Sequence, residues 1–208
     1  MTALVDDGAG TFEPPGPRPY PEELVEQFTL SDGRTLTLRP IRVDDEASLD
    51  SFHHRLSPDS IYCRYFSFHG ELSPKELSHL THVNYDTRLA LVMEDGHDLV
   101  GVARYERYPN TSAAEVAFVV RDDYQHLGLG HHLFARLAAA AWARGVTTFI
   151  AETLCRNHDM MSVFRHGGFP MTSSVSAGEV SVRISIDPCG ADAEQTTNPT
   201  TSLDSPWS

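Results

Sequence analysis

The chain has 208 residues, 40% of them hydrophobic, which is enough to bury the core of one sizeable domain. Sixteen basic against twenty-nine acidic side chains give a net charge of −13. That balance argues against non-specific nucleic-acid binding and against attraction to anionic membranes, and it suits cationic partners. Cysteines at 63, 155 and 189 are too few and too scattered for a disulfide framework or a CxxC metal site, and no apolar run approaches the ~18 residues that span a bilayer. A soluble, cytoplasmic protein with reduced thiols is expected.

In chain order, residues 1 to about 20 are rich in Gly, Pro and acidic groups without periodicity and read as a mobile arm; the tail from Cys189 to Ser208 reads the same way. The chemistry is expected in a single domain over 21–188, neither tail being long enough for a regulatory domain. From Glu26, EQFTLSDGRTLTLRPI reads as two strands about an Asp32-Gly33 turn. Asp44 stands where it can cap a helix carrying Leu49, Phe52 and Leu56 on one stripe, which breaks at Ser57-Pro58. Ser57 or Asp59 starts a second short helix through Ile61, Tyr62 and Tyr65, and Ser73-Pro74 a third through Leu77 and Leu80. These three helices are expected to wall one side of a cleft.

Arg88 to Val120 reads as an antiparallel meander that turns at Asp95-Gly96 and at Pro109-Asn110 and ends in the strand AAEVAFVV. After the loop RDDYQHLGLG, a helix begins near Gly130 or His131 and stops at Gly145; TTFIAETL at 147–154 follows as a strand parallel to AAEVAFVV. A helix over Asn157–His166 is stopped by Gly167-Gly168-Phe169, and SSVSAGEVSVRISI supplies two last strands about Ala177-Gly178. The fold class is therefore α/β (α+β): a mixed, mostly antiparallel sheet with one parallel strand pair, flanked by helices.

A buried strand, a glycine-containing loop and a helix N-terminus in succession make an anion site, because the first amides of a helix lack intrahelical partners and carry the positive end of its dipole. Gln125-His126-Leu127-Gly128-Leu129-Gly130 matches neither a Walker A loop nor a dinucleotide GxGxxG. Eleven histidines lack HExxH spacing, so they are read as solvated or core residues and no metal is expected.

The hexapeptide does resemble the Q/R-x-x-G-x-G/A signature of the GNAT family of N-acetyltransferases. Asn157, Phe164 and Gly168-Phe169 resemble the family's N-x(6)-Y/F-x(3)-G-F pattern, and Arg39 to Asp44 its R-x-x-x-x-D opening. Further likeness, in VGVARYER, EVAFVV and FRHGGF, is to bacterial protein-lysine acetyltransferases that modify acyl-CoA synthetases. The resemblance implies acetyl-CoA as co-substrate. Its phosphates would meet the amides of His126, Leu127, Gly128, Leu129, Gly130 and His131, with Gln125 helping by its side chain. Its pantetheine arm would lie in a splayed parallel pair along Phe118, Val119 and Val120, contacted by Asn157 and, where many members have tyrosine, by Phe164.

Glu115 is implied as general base, its pKa raised by burial in an apolar run; on its own terms it reads equally as a strand-end carboxylate paired with Arg104. Asn157 reads equally as a helix cap. Phe164 cannot protonate a departing thiolate, so Ser162 or water would have to serve, and Cys155 is read as a packed thiol. The implied acceptor is a protein lysine, with acyl-CoA synthetases as partners. A small-amine acetyltransferase and a non-catalytic acyl-CoA sensor are the alternatives.

Overall fold

A computed structural model describes residues 18–66 and 70–187 of the chain. The described residues form eight strands, β1 (Glu26–Thr29), β2 (Thr35–Pro40), β3 (Arg88–Asp95), β4 (Asp98–Arg107), β5 (Ala113–Val120), β6 (Thr148–Leu154), β7 (Met171–Ser176) and β8 (Glu179–Ser185). Five helices accompany them: α1 (Glu46–His54), α2 (Pro58–Tyr65), α3 (Pro74–Thr81), α4 (Leu129–Trp142) and α5 (His158–His166). The strands make one sheet in the order β1-β2-β3-β4-β5-β6-β8-β7, and every adjacent pair is antiparallel except β5–β6. The GNAT-type layout expected from sequence is the one observed.

Alternation along the strands sorts the core into two layers. Leu89, Leu91 and Met93 of β3 pack with Leu133, Phe134 and Leu137 of α4, whereas Ala90 and Val92 pack with Leu49, Phe52 and Leu56 of α1. Successive strand residues point to opposite faces, so both layers bury one strand. Phe134 is the hub of the larger layer: its ring lies 5.7 Å from those of Phe118, Phe164 and Phe169, which ties α4 and α5 to β5.

Local chemistry differs from expectation in three places. The carboxylate at the entry to α1 is Asp45, not Asp44: its Oδ2 accepts from the Arg42 amide at 2.7 Å and both its oxygens accept from buried Arg39. A 3-10 turn at Val43–Asp45 delays the start of the helix by one residue. Helix α4 begins at Leu129, one residue before Gly130 and two before His131, because Gly128 at φ +88° supplies the break. Arg18 and Tyr20, placed in the arm by composition, dock on the domain: Arg18 donates to Asn84 O and pairs with Asp86, and Tyr20 donates to Pro40 O. The rest of the expected arm, and the expected tail, lie outside the described residues.

Candidate active site

The parallel pair holds together over three residues only, Ala113–Glu115 of β5 against Thr148–Ile150 of β6. Beyond them β5 stays on β4 as far as Val120 and β6 stays on β8 as far as Leu154, so the two facing edges part. From Val116 to Val120 the backbone on that edge of β5 has no strand partner among the described residues. A cavity of about 420 Å³ opens at the gap. Phe118, Val119 and Val120 form its β5 wall, α2 and α5 its sides, and the 125–131 segment its end.

That end is shaped by the backbone. After a 3-10 turn at Asp122–Tyr124, His126 (φ 60°) and Gly128 (φ 88°) both take the left-handed conformation, which turns successive amides to one side of the chain. Among the described residues the amides of His126 to His131 donate no backbone hydrogen bond, and α4 has no side-chain cap. Six donors without a backbone partner thus lie in succession at the positive end of a helix of fourteen residues. Space lies open where a Gly128 side chain would project.

The loop is held from behind. The buried Tyr124 hydroxyl donates to Asp95 Oδ2 at 2.6 Å, and the guanidinium groups of Arg34 and Arg121 lie 5.0 and 4.7 Å from its ring. Gln125 Nε2 donates to Val120 O at 3.1 Å and to Ser60 Oγ at 3.3 Å. The side-chain N–H groups expected to help bind an anion are therefore committed to tying the loop to β5 and α2. Asp122 makes a second tie: its carboxylate accepts from Ser57 N, Ser57 Oγ and Ser60 Oγ at 2.7–2.9 Å. Burial alone would raise its pKa; these hydrogen bonds outweigh burial and hold it below the ordinary aspartate value.

Other expected residues fall unevenly. Asn157 caps α5, its Oδ1 accepting from Met160 N at 3.1 Å, and it also lines the cavity. Phe164 does not line the cavity. It is 1% exposed, packed between Phe118 and Phe134, because a ring without a hydroxyl has nothing to gain at a polar wall. The side chain of Leu129 is likewise in the core and that of Leu127 packs against it, and neither residue lines the cavity. Ser162 does line the cavity, its Oγ 3.2 Å from His166 Nδ1.

Glu115 is exposed, not buried, and makes no ion pair with Arg104. It heads β5 on the same face as Ala117 and Val119, and the apolar run that surrounds it in sequence points the other way, into the core. Its carboxylate borders a separate cavity of about 170 Å³ on the α2–α3 side, shared with Arg64 and Arg104. Cys155 is exposed rather than packed and is not part of the cavity wall; Cys63 is, with its thiol pKa raised by burial and by Asp59. Among the described residues no three His, Cys, Asp or Glu side chains converge to hold a metal ion.

Sequence reasoning expected α2 to wall a cleft but singled out none of the side chains it contributes, Asp59, Ser60, Cys63 and Arg64, and it did not single out Tyr124. Local signals gave the helix but not which of its side chains face the cavity, because α2 is set there by long-range ties from Ser57 and Ser60 to Asp122.

The model of the Acetyltransferase (GNAT) family matches residues 55–169, more than half of the chain. The chain belongs to this family. Its GNAT domain is 32% identical over 145 residues to Acetyltransferase PA5475 of Pseudomonas aeruginosa, an alignment covering 68% of this chain and 78% of that protein. It is 31% identical over 134 residues to Acetyltransferase Pat of Mycolicibacterium smegmatis, covering 63% of this chain but only 40% of that relative's length. Among solved structures, the GNAT domain of S. lividans PAT superposes with a TM-score of 0.75 at 33% identity, over 80% of this chain and 99% of that one. GNAT acetyltransferases use acetyl-CoA, and the chain is an acetyltransferase. No described helix is long and apolar enough to cross a membrane.

Proposed function

We propose that the chain transfers acetyl from acetyl-CoA to the side-chain amine of a protein lysine, by direct attack of the amine on the thioester. The observation that carries this reading is the row of unpartnered amides from His126 to His131 at the end of a cavity walled by an unpaired strand edge. The amides suit a diphosphate, and the β5 edge suits the amide groups of a pantetheine arm, which can add to it as a further strand would. A main-chain N–H near Phe118 to Val120 then polarises the thioester carbonyl. Asn157, its oxygen committed to the cap, keeps its amide N–H groups for the same arm.

Glu115 takes the proton of the attacking amine. Its exposure suits this role through contact with solvent and acceptor: Glu106, Glu115 and Glu152 are all exposed at this end of the sheet, an acidic approach for a cationic side chain. Burial and the charges of Glu115 and Glu152 raise the pKa of Tyr108, which borders this approach. The raised pKa of Cys63 disfavours a thiolate and hence an acyl-enzyme at the cavity wall. As acceptor proteins we propose acyl-CoA synthetases, on the likeness of EVAFVV and FRHGGF to enzymes that modify them.

Two variants test this reading. In Gly128→Glu, a left-handed backbone at +88° is strained and a carboxylate stands against the phosphates; together these should weaken acetyl-CoA binding by about 100-fold or more in calorimetry. Affinity unchanged from the parent would mean the cradle has been misread. Glu115→Gln should retain acetyl-CoA affinity while kcat drops by about 100-fold or more, the usual yield of general-base catalysis. Undiminished turnover at saturating substrates would remove Glu115 as the base, and turnover of free amines with no labelled protein would remove the lysine acceptor.

A further inference from the structure

Two arginines on the α2–α3 side of β5 combine burial with the lack of an ion-pair partner. Arg39 shows how this fold satisfies a buried guanidinium: it donates to Asp45 through two bonds of 2.7 Å and pairs with Glu94. Arg64 on α2 and Arg104 on β4 have no carboxylate within ion-pair distance among the described residues. Arg104 has one hydrogen bond, a long one of 3.4 Å to Leu80 O, and Arg64 stacks 4.9 Å from the Tyr65 ring.

Both are half-buried and lie within Coulomb range of each other. Burial, then the charge of Arg64, bring the Arg104 pKa down to about 9; burial also lowers that of Arg64. Two like charges in a half-buried setting repel, and the more distant charges of Glu115 on Arg64 and Glu106 on Arg104 do not cancel the effect of burial. Neither guanidinium is sealed off, since Arg64 borders the main cavity and both border the two smaller cavities beside it. The three spaces adjoin in series: the main cavity shares Arg64 and Val119 with a small apolar pocket, which shares Arg64, Leu80, Arg104 and Ala117 with the 170 Å³ cavity that Glu115 borders.

We infer that Arg64 and Arg104 form a recognition site for a carboxylate carried by one of the reactants. Planar guanidinium groups match a carboxylate in geometry as well as charge, and Arg64 presents its group to the main cavity itself. The inference rests on the acyl-transfer reading above, which sets where the reacting carbon lies. Two reactants can bring the group: an acyl chain ending in a carboxylate, as in the monothioester of a dicarboxylic acid, or an acceptor bearing an acid near its amine. The reaction is unchanged in either case. The amine nitrogen bonds to the thioester carbon, the carbon–sulfur bond breaks with its electron pair on sulfur, the amine proton goes to the base, and the distant carboxylate keeps its bonds.

Calorimetry on the full chain separates the sources. In the first arm succinyl-CoA is compared with butyryl-CoA; in the second, 6-aminohexanoate with hexylamine, each with and without CoA. One of the charged compounds should bind at least about tenfold more tightly than its neutral counterpart. Arg104→Gln should bring that ratio close to one and Arg104→Lys should restore part of it. A tenfold preference corresponds to a difference of about 1.4 kcal/mol.

No preference in either arm of the parent protein overturns the inference, whatever the variants do, and so does a preference that survives Arg104→Gln. Loss of CoA binding would count against the earlier reading alone, because the second arm runs without CoA. Arg104→Met adds a measurement that a purely structural arginine would move the opposite way. Relieving an unpaired charge should raise the ligand-free melting temperature, and a fall of several degrees overturns the inference.

Discussion

At the scale of single residues, charge placement separates what holds this protein together from what it offers to ligands. Arg39 belongs to the first kind. Burial would lower its pKa, yet its bonds to Asp45 and Glu94 hold it above the ordinary arginine value, joining β2 to β3 and to the start of α1. Removing the cation leaves two carboxylates close together, one of them 6% exposed. Arg39→Met should therefore lower unfolding free energy by about 3–5 kcal/mol in denaturant titrations, the usual penalty for orphaning a buried ion-pair partner. A loss below about 1 kcal/mol would show that the network is solvated and contributes like a surface pair.

The same contrast explains why Glu115 was misjudged from sequence. Within Ala113–Val120 it is the one ionisable residue in an apolar run, which reads as burial. The period of two in a strand puts Val116 and Phe118 into the α4 layer and leaves Glu115 with Ala117 and Val119 on the face toward the cleft. Burial could not be inferred without knowing which face is covered along its whole length.

Among the elements, α2 has the least support of its own. It contains eight residues, buries none of them fully, and is positioned by its N-terminus: Ser57 accepts from Ser60 N as the cap while Asp122, at the start of the cavity loop, accepts from both serines. The folded-state pKa of Asp122 is depressed, so its contribution is present above the ordinary value of 3.8 and is lost as pH falls through the lower folded value. Asp122→Asn should lower the melting temperature by about 2–4 °C at neutral pH, as roughly 1 kcal/mol does in a domain of this size. The gap to the parent should close in acid below pH 3.8. A gap that stays constant down to pH 2 would mean that the tie does not depend on charge.

Elements of this kind mark the boundary of what can be read from the chain. Strands, turns and helix starts were legible because each has a local cause: Asp32-Gly33, Ser57-Pro58, Ser73-Pro74 and the αL glycines at 128 and 178 all act within a few residues. The amide row of the loop was legible for the same reason. Phe164 shows the reverse. Its place in a family pattern pointed to the cavity, but only the tertiary structure shows Phe118, Phe134 and Phe169 gathered to receive its ring in the core. Close packing also fixes the turn after it, since a Cβ on Gly167 would come within 2.2 Å of Phe134.

For the molecule as a whole, the cavity lies where several weakly tied parts meet. The β5–β6 pairing ends at Glu115, α2 depends on Asp122, and the amides from His126 to His131 have no backbone partner among the described residues. Acetyl-CoA would supply what each lacks: phosphate oxygens for the loop and a pantetheine arm beside the β5 edge. A ligand that binds only the folded state stabilises it by mass action, and at 100 times its Kd the gain is about 2.7 kcal/mol, or roughly 5–11 °C in a domain of this length. Acetyl-CoA should therefore raise the melting temperature by that amount in the parent protein and by far less in Gly128→Glu. The local signature is more demanding than the global one. Hydrogen exchange should slow at residues 126–131 and at those amides of 116–120 that face the open edge rather than β4, and stay unchanged in β7 and β8 on the far side of the sheet. Protection spread evenly over all strands would mean that binding stabilises the fold without engaging this loop.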